Sequence, residues 1–292
     1  MSILNKLEGK QILLSDGAWG TFLQATGLKP GECPELWNVT RRADVIRIAE
    51  AYIEAGSDII ETNSFGGSIF KLSQYGLGDR VFELNKAAAA ISREAAGETK
   101  HVAGSLGPTG KMLIMGDVTE EELYNAFREQ SLGLEAGGAD IIIIETMSAI
   151  DEAALAVRAA RENTKCTVIV TMTFEGSPDS GYHTMMGVSP AEMVVAMKEA
   201  GAHIVGSNCG NGIGNMIGIV KEIRSTDSQI PVMIQANAGI PELIDGKTVF
   251  RESPEMMASY VPALIEAGAN IIGGCCGTTP EHIKAIGKIL RK

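Results

Sequence analysis

The chain has 292 residues, 45% of them hydrophobic, 21% charged and 5% aromatic, and its 36 acidic against 25 basic side chains give a net charge of -11. That length suits one α/β barrel and can bury a large core, so neither a disulfide nor an oligomer is needed to keep it folded. Lys and Arg are scattered in an acidic chain, which argues against nucleic acid and anionic membranes as partners, and the start MSILNKLEGK has no long apolar run, so a cytoplasmic protein without signal peptide or membrane span is expected.

In chain order, the first apolar run covers residues 12–18 (ILLSDGA). An amphipathic stretch over 42–55 ends on Glu54-Ala55-Gly56, directly before SDIIETNSF, and a second over 82–96 leads to the run 101–108. A third over 120–136 ends on Glu135-Ala136-Gly137-Gly138 before ADIIIIETM, and a fourth over 151–162 precedes the run 167–174. Glu199-Ala200-Gly201 stands before AHIVGSNC, the run 231–238 follows, and Glu266-Ala267-Gly268 stands before ANIIGGCC. Each Glu-Ala-Gly phrase reads as a helix closed by a glycine, which accepts the left-handed backbone of a C-cap. The β-branched run behind it reads as a strand buried on both faces.

Strict alternation of strand and helix requires a parallel sheet with right-handed crossovers. Eight such units point to a single-domain (β/α)8 TIM barrel over residues 1–292. A doubly wound open sheet is the competing arrangement; all eight runs are comparably apolar, with no polar edge strand, and this favours closure.

The polar residues gather at the C-terminal tips of the runs: Asp16, Glu61, Thr62, Asn63, Glu145, Thr146, Asn208, Cys209, Gln235, Asn237, Cys275 and Cys276. That rim carries the chemistry of such barrels, and polar groups at strand ends are costly unless satisfied or used. Cys209 closes the sixth run and Cys275-Cys276 the eighth, so the three thiols can converge across next-nearest strands. Adjacent cysteines on an extended strand face opposite sides. Both reach one ion only if the chain turns, which Gly273, Gly274 and Gly277 permit. Three thiolates and one open position make a catalytic zinc site, not a closed structural one. His101, His183, His203 and His282 fall at a strand start, a loop, a strand start and a helix, and offer no rival ligand set; Cys33 and Cys166 read as ordinary buried thiols.

Residues 273–283, GGCCGTTPEHI, closely resemble the end of the homocysteine-binding barrel of cobalamin-dependent methionine synthases and of the wider zinc-dependent homocysteine S-methyltransferase family. Further matches follow in order along nearly the whole chain: Asp16-Gly17-Ala18-Trp19-Gly20-Thr21, Glu61-Thr62-Asn63-Ser64-Phe65, Gly104-Ser105-Leu106-Gly107-Pro108, Glu145-Thr146 and Ser207-Asn208-Cys209. The resemblance implies zinc on Cys209, Cys275 and Cys276, and an enzyme moving a methyl group to the zinc-bound thiolate of homocysteine by direct displacement, giving methionine. A free thiol has a pKa of about 8.5, and coordination removes its proton. Asp16 and Glu145 match positions that hold the substrate ammonium, and the amides of Gly17 and Ala18 would take its carboxylate. Thr62 and Asn63 either touch substrate or tie rim loops together.

Full-length methionine synthases append folate, cobalamin and reactivation modules, so here the methyl group is expected from a separate molecule. The GGCCG form is closer to the methionine synthase branch and points to a methylcorrinoid carried by a partner protein docking on the rim. S-methylmethionine, a betaine or a folate-linked donor are alternatives, as is the reverse role of demethylating a compound and passing its methyl group to a corrinoid protein. A non-enzymatic zinc-binding scaffold would leave the acidic rim residues without a purpose. The loops 175–189 and 239–253, with Asp179, Tyr182, His183, Met185 and Met186, then Glu242, Asp245 and Lys247, match only loosely and suit a lid or docking surface. Two nucleotide-like stretches fail: 104–111 is one residue too long for a P-loop and continues into Met112, and 210–214 lacks dinucleotide spacing.

Overall fold

The computed structural model describes residues 2–210, 212–244 and 247–291, Lys247 by its backbone alone; Asn211 and Asp245 lie outside the described residues. Among these, eight parallel strands alternate with helices: β1 (Leu13–Leu14), β2 (Ile59–Glu61), β3 (His101–Leu106), β4 (Ile141–Met147), β5 (Thr167–Met172), β6 (Ile204–Cys209), β7 (Val232–Ala236) and β8 (Ile271–Gly274). Their order is β1-β8-β7-β6-β5-β4-β3-β2, each strand beside its chain neighbour. This is the expected (β/α)8 barrel.

The ring closes between β1 and β2 without a regular ladder. The Asp58 N–H donates to Leu14 O (2.7 Å), the Leu14 N–H to Asp58 Oδ2 (3.1 Å), and the Glu61 N–H to Asp16 Oδ2 (2.8 Å). Backbone bonding to β8 continues past the end of β1, the Ser15 N–H donating to Ile272 O (2.9 Å) and the Gly274 N–H to Asp16 O (2.8 Å).

Helix limits follow local signals closely. Arg42–Ala55 and Glu120–Ala136 coincide with the amphipathic stretches, and the latter starts on a capping box between Thr119 and Glu122. Gly56, Gly201 and Gly268 cap their helices at φ of 107°, 99° and 112°. At the second phrase the left-handed residue is Gly138 (φ 104°), one position later than Gly137.

The continuous apolar runs have two buried faces. Ile142 and Ile144 pack under the helices, while Ile141 and Ile143 point into the barrel with Leu13, Ile59, Ala103, Ile169, Met233 and Ile271. Ile3 and Leu7 of the first helix, Ile3–Glu8, join this inner cluster and plug the end where the strands begin. Two residues further along the inward faces stand Ser15, Glu61, Ser105, Glu145, Thr171 and Gln235, all buried. The barrel interior is therefore apolar at the bottom and polar at the top. No described helix is long and apolar enough to cross a membrane.

Candidate active site

A cavity of about 470 Å³ opens on the C-terminal rim, and Cys209, Cys275 and Cys276 line it together with Glu61 and Glu145. Cys209 ends β6 at φ +63°, a left-handed conformation uncommon outside glycine. After β8 the chain turns: the Thr278 N–H donates to Cys275 O (3.1 Å), and Gly277 occupies the third place of the turn at φ +80°. A Cβ there would lie 2.2 Å from Phe250 Cγ, so glycine is required twice over. The Cys275 N–H donates to Ala236 O (2.7 Å) and the Ala238 N–H to Cys276 O (3.0 Å), which pins the turn to β7 and the residues after it.

The turn brings both neighbouring thiols to one side. All three sulfurs lie within 4.8 Å of one another, with Cys209 and Cys276 4.0 Å apart. Tetrahedral zinc with Zn–S bonds near 2.3 Å sets its sulfurs about 3.8 Å apart, so the donor set fits in number, element and spacing. Hydrogen bonds from Cys275 and Cys276 pull the Cys209 thiol down to about 3, while the contact with Cys209 pushes Cys276 up to about 12 and Cys275 well above its usual value. The cluster thus holds one thiolate readily, and a bound cation would displace the remaining protons.

Beside the sulfurs lies a buried carboxyl cluster. Glu61 and Glu145 bond to each other. Glu61 Oε1 also accepts from Gln235 Nε2 (2.7 Å), and Glu145 accepts from the Ser105 hydroxyl and from Asn208 Nδ2 (3.3 Å). Burial raises Glu145 to about 7 and Glu61 well above the carboxylate range. Such a pair shares a proton when empty and is ready to receive a cationic group.

Asp16 follows β1 and meets Glu61 at the seam between β1 and β2. It stands behind the cavity wall, fully buried, its carboxylate accepting from Trp19 Nε1 (2.9 Å), the Glu61 N–H (2.8 Å) and Ser15 Oγ (3.3 Å). Burial raises it to about 6. Two of these bonds fall on Oδ2, so Asp16 ties the seam to the backbone of Glu61, while Oδ1 accepts only from Ser15. Gly17 and Ala18 do line the cavity, but the Ala18 N–H donates to Thr278 Oγ1 (3.1 Å) and would have to exchange that partner to take a carboxylate.

Thr62 and Asn63 line the cavity and also tie its walls. Thr62 Oγ1 accepts from the Ser105 N–H (3.0 Å) and bonds Ser64 Oγ (2.6 Å). Asn63 Nδ2 donates to Pro34 O (2.8 Å) and Asn38 Oδ1 (3.0 Å). Trp19, Leu23, Phe65 and Tyr75 form the outer wall, with Glu35 and Lys71. Glu35 was invisible to sequence reading, since it sits far from any strand tip. Glu61, a rim residue in the sequence, lines the cavity beside Glu145.

The loops 175–189 and 239–253 form two hairpins, Glu175–Ser177 with Gly181–His183 and Glu242–Ile244 with Lys247–Val249. Among the described residues, neither loop lines the cavity; both stand on the rim around it. They and the loop after β3 expose large apolar side chains: Ile114 (79%), Met115 (73%), Met185 (84%), Ile240 (62%) and Leu243 (78%). The stretch 104–111 begins inside β3, and Gly212 caps the helix Ile213–Thr226.

A family model described as homocysteine S-methyltransferase matches residues 13–290. The chain is 31% identical over 291 residues to a methionine synthase of Mycobacterium tuberculosis (strain ATCC 25618 / H37Rv) and 30% identical over 295 residues to that of Mycobacterium leprae (strain TN). Each alignment covers 95% of this chain, which spans 24% of the length of these curated relatives. The metallated form of the homocysteine methyltransferase MmuM from Escherichia coli superposes with a TM-score of 0.79 at 23% identity, covering 98% of this chain and 99% of that one. Its oxidized form gives 0.78 at 24% identity, covering 99% of both, and the likeness is one of fold.

Proposed function

Because the chain belongs to the homocysteine S-methyltransferase family, we propose that it methylates the sulfur of homocysteine to give methionine, with zinc held by Cys209, Cys275 and Cys276. The observation that carries this reading is the shared cavity: three converging sulfurs and a paired carboxyl group line one floor. An amino-acid thiol offers a partner to each, its sulfur to the cysteine cluster and its ammonium to Glu61 and Glu145. Zinc bound to the three thiolates would lower the pKa of the substrate thiol and keep its sulfur nucleophilic.

The chain's own residues supply position and charge. Glu145 and Glu61 take the ammonium, releasing their shared proton, with Asp16 supporting Glu61 from behind. The amides of Gly17 and Ala18 are the candidates for the substrate carboxylate, and Thr62 and Asn63 hold the walls in place. Methyl transfer then forms a sulfur–carbon bond as the donor–carbon bond breaks, and it asks for no protein nucleophile.

The apolar rim supports a donor carried by a separate methylcorrinoid protein. Exposed apolar patches beside a cavity mouth mark protein contacts, and methionine adapts readily to a partner surface. The test is zinc-loaded protein incubated with methylcobalamin and a panel of thiols, with products read by mass spectrometry. Methionine from homocysteine alone supports the reading. Methylation of a different thiol reassigns the substrate, and turnover with S-methylmethionine but with no methylcorrinoid overturns the donor.

A further inference from the structure

We infer that Asn208 is a positioning residue that holds the β4 bulge in its cavity-facing form and ties the ammonium pocket to the thiol cluster. The inference rests on the reading just given. Asn208 is fully buried and directly precedes Cys209. Its Oδ1 accepts from the Thr146 N–H (2.8 Å) and from Thr171 Oγ1 (2.9 Å). Its Nδ2 donates to Thr146 Oγ1 (2.7 Å) and Glu145 Oε2 (3.3 Å), and stands 3.9 Å from Cys275 Sγ. Both lone pairs and both amide hydrogens are therefore committed, and every partner belongs to the site or to the strand ends that carry it.

The geometry of β4 explains what this clamp achieves. The ladder to β5 shifts between Ile144 and Met147, and these two residues both pack on the helix side. In a regular strand Thr146 would share that side with Ile144. Instead Glu145 and Thr146, two consecutive residues, both line the cavity. Thr146 reaches this arrangement at φ +62°, a strained conformation for a β-branched residue that persists only where its surroundings impose it. Asn208 imposes it by bonding both the N–H and the hydroxyl of Thr146. The same amide group then fixes Glu145 Oε2 and leans on Cys275, so the ammonium pocket cannot shift independently of the sulfurs.

The test compares wild type with Asn208→Ala and Asn208→Asp, the second keeping volume and one acceptor if the first fails to fold. Two readouts are needed. The first is KM for homocysteine against KM for 4-mercaptobutyrate, which is homocysteine without its amino group. Loss of the clamp should raise the homocysteine value about 10–100-fold, the usual scale for groups that orient a metal site, and the deaminated value much less. The second readout uses Co2+ in place of zinc and needs no turnover: the sulfur-to-cobalt absorption band should move while one ion per chain is retained. An unchanged preference for the amino group overturns the link to Glu145, and an unchanged band overturns the link to the thiols. Should wild-type protein use no homocysteine, the substrate reading falls, and the cobalt band still decides the role of Asn208.

Discussion

Asp16 and Glu61 meet across the one seam of the barrel that has no regular ladder, where Asp16 Oδ2 accepts the Glu61 backbone N–H at 2.8 Å. A side chain stands in for strand pairing there, and the residue it holds is one wall of the candidate substrate pocket. Replacing Asp16 with Ala leaves the Glu61 N–H and the Trp19 indole N–H buried without partners. The expected cost is about 2–5 kcal/mol. Urea unfolding checks it, and Asp16→Asn should recover part of the loss; wild-type stability of the alanine variant would refute the closure role.

Metal binding should depend on each cysteine of the cluster. Cys275→Ala should retain no zinc after dialysis against a mild chelator, where wild type retains one ion per chain, and turnover should vanish with it. Full activity in a zinc-free Cys275→Ala protein would sink the mechanism. Cys166→Ala, in a buried thiol bonded to Ala139 O (3.4 Å) outside the cavity, should leave metal content unchanged.

Glu145→Gln should raise KM for homocysteine by about 30-fold or more, the equivalent of about 2 kcal/mol for a buried charge pair. Its pH effect has a definite sign. Burial lifts the carboxyl from 4.5 unfolded to about 7 folded, so the folded protein binds the extra proton between those values. The stabilisation is complete below pH 4.5 and is lost as pH rises through 7. Thermal melts of the metal-free protein across that window should slope downward with pH, and the glutamine variant should flatten the slope.

Gly277→Ala should unfold the cysteine turn. The left-handed φ and the 2.2 Å approach to Phe250 Cγ act together, at a cost of about 1–3 kcal/mol or more. Zinc affinity measured by competition should fall along with the melting temperature. Paired loss in Gly277→Ala, with retention in Gly76→Ala on an open surface turn, would separate the site from general loop strain.

The apolar rim can be tested without disturbing the cavity. Ile114→Asp combined with Leu243→Asp should leave methyl transfer from free methylcobalamin near wild type while slowing transfer from a methylated corrinoid protein tenfold or more, on the order of 1.4 kcal/mol or more of lost contact. Equal rates with both donors would remove the docking role from these side chains.

The eight runs, the helix limits and three of the four glycine caps were legible because they depend on local periodicity and on the backbone freedom of one residue type. The cysteine triad was legible for a similar reason: once the strands are counted, the rim positions of Cys209, Cys275 and Cys276 follow, and their glycine neighbours announce the turn. Residue-by-residue roles at the carboxyl cluster were not. Asp16 stands at a strand tip like Glu61 and Glu145, yet its carboxylate accepts from Ser15, Trp19 and the Glu61 N–H, while Glu61 and Glu145 line the cavity. The bulge at Glu145 and Thr146 interrupts an isoleucine run that shows no sign of it, because the cause is an amide 62 residues downstream. Periodicity reports which face of an element is buried. Which buried polar group keeps a free valence for a ligand is settled only when strands far apart in the chain are brought together and their hydrogen bonds are shared out.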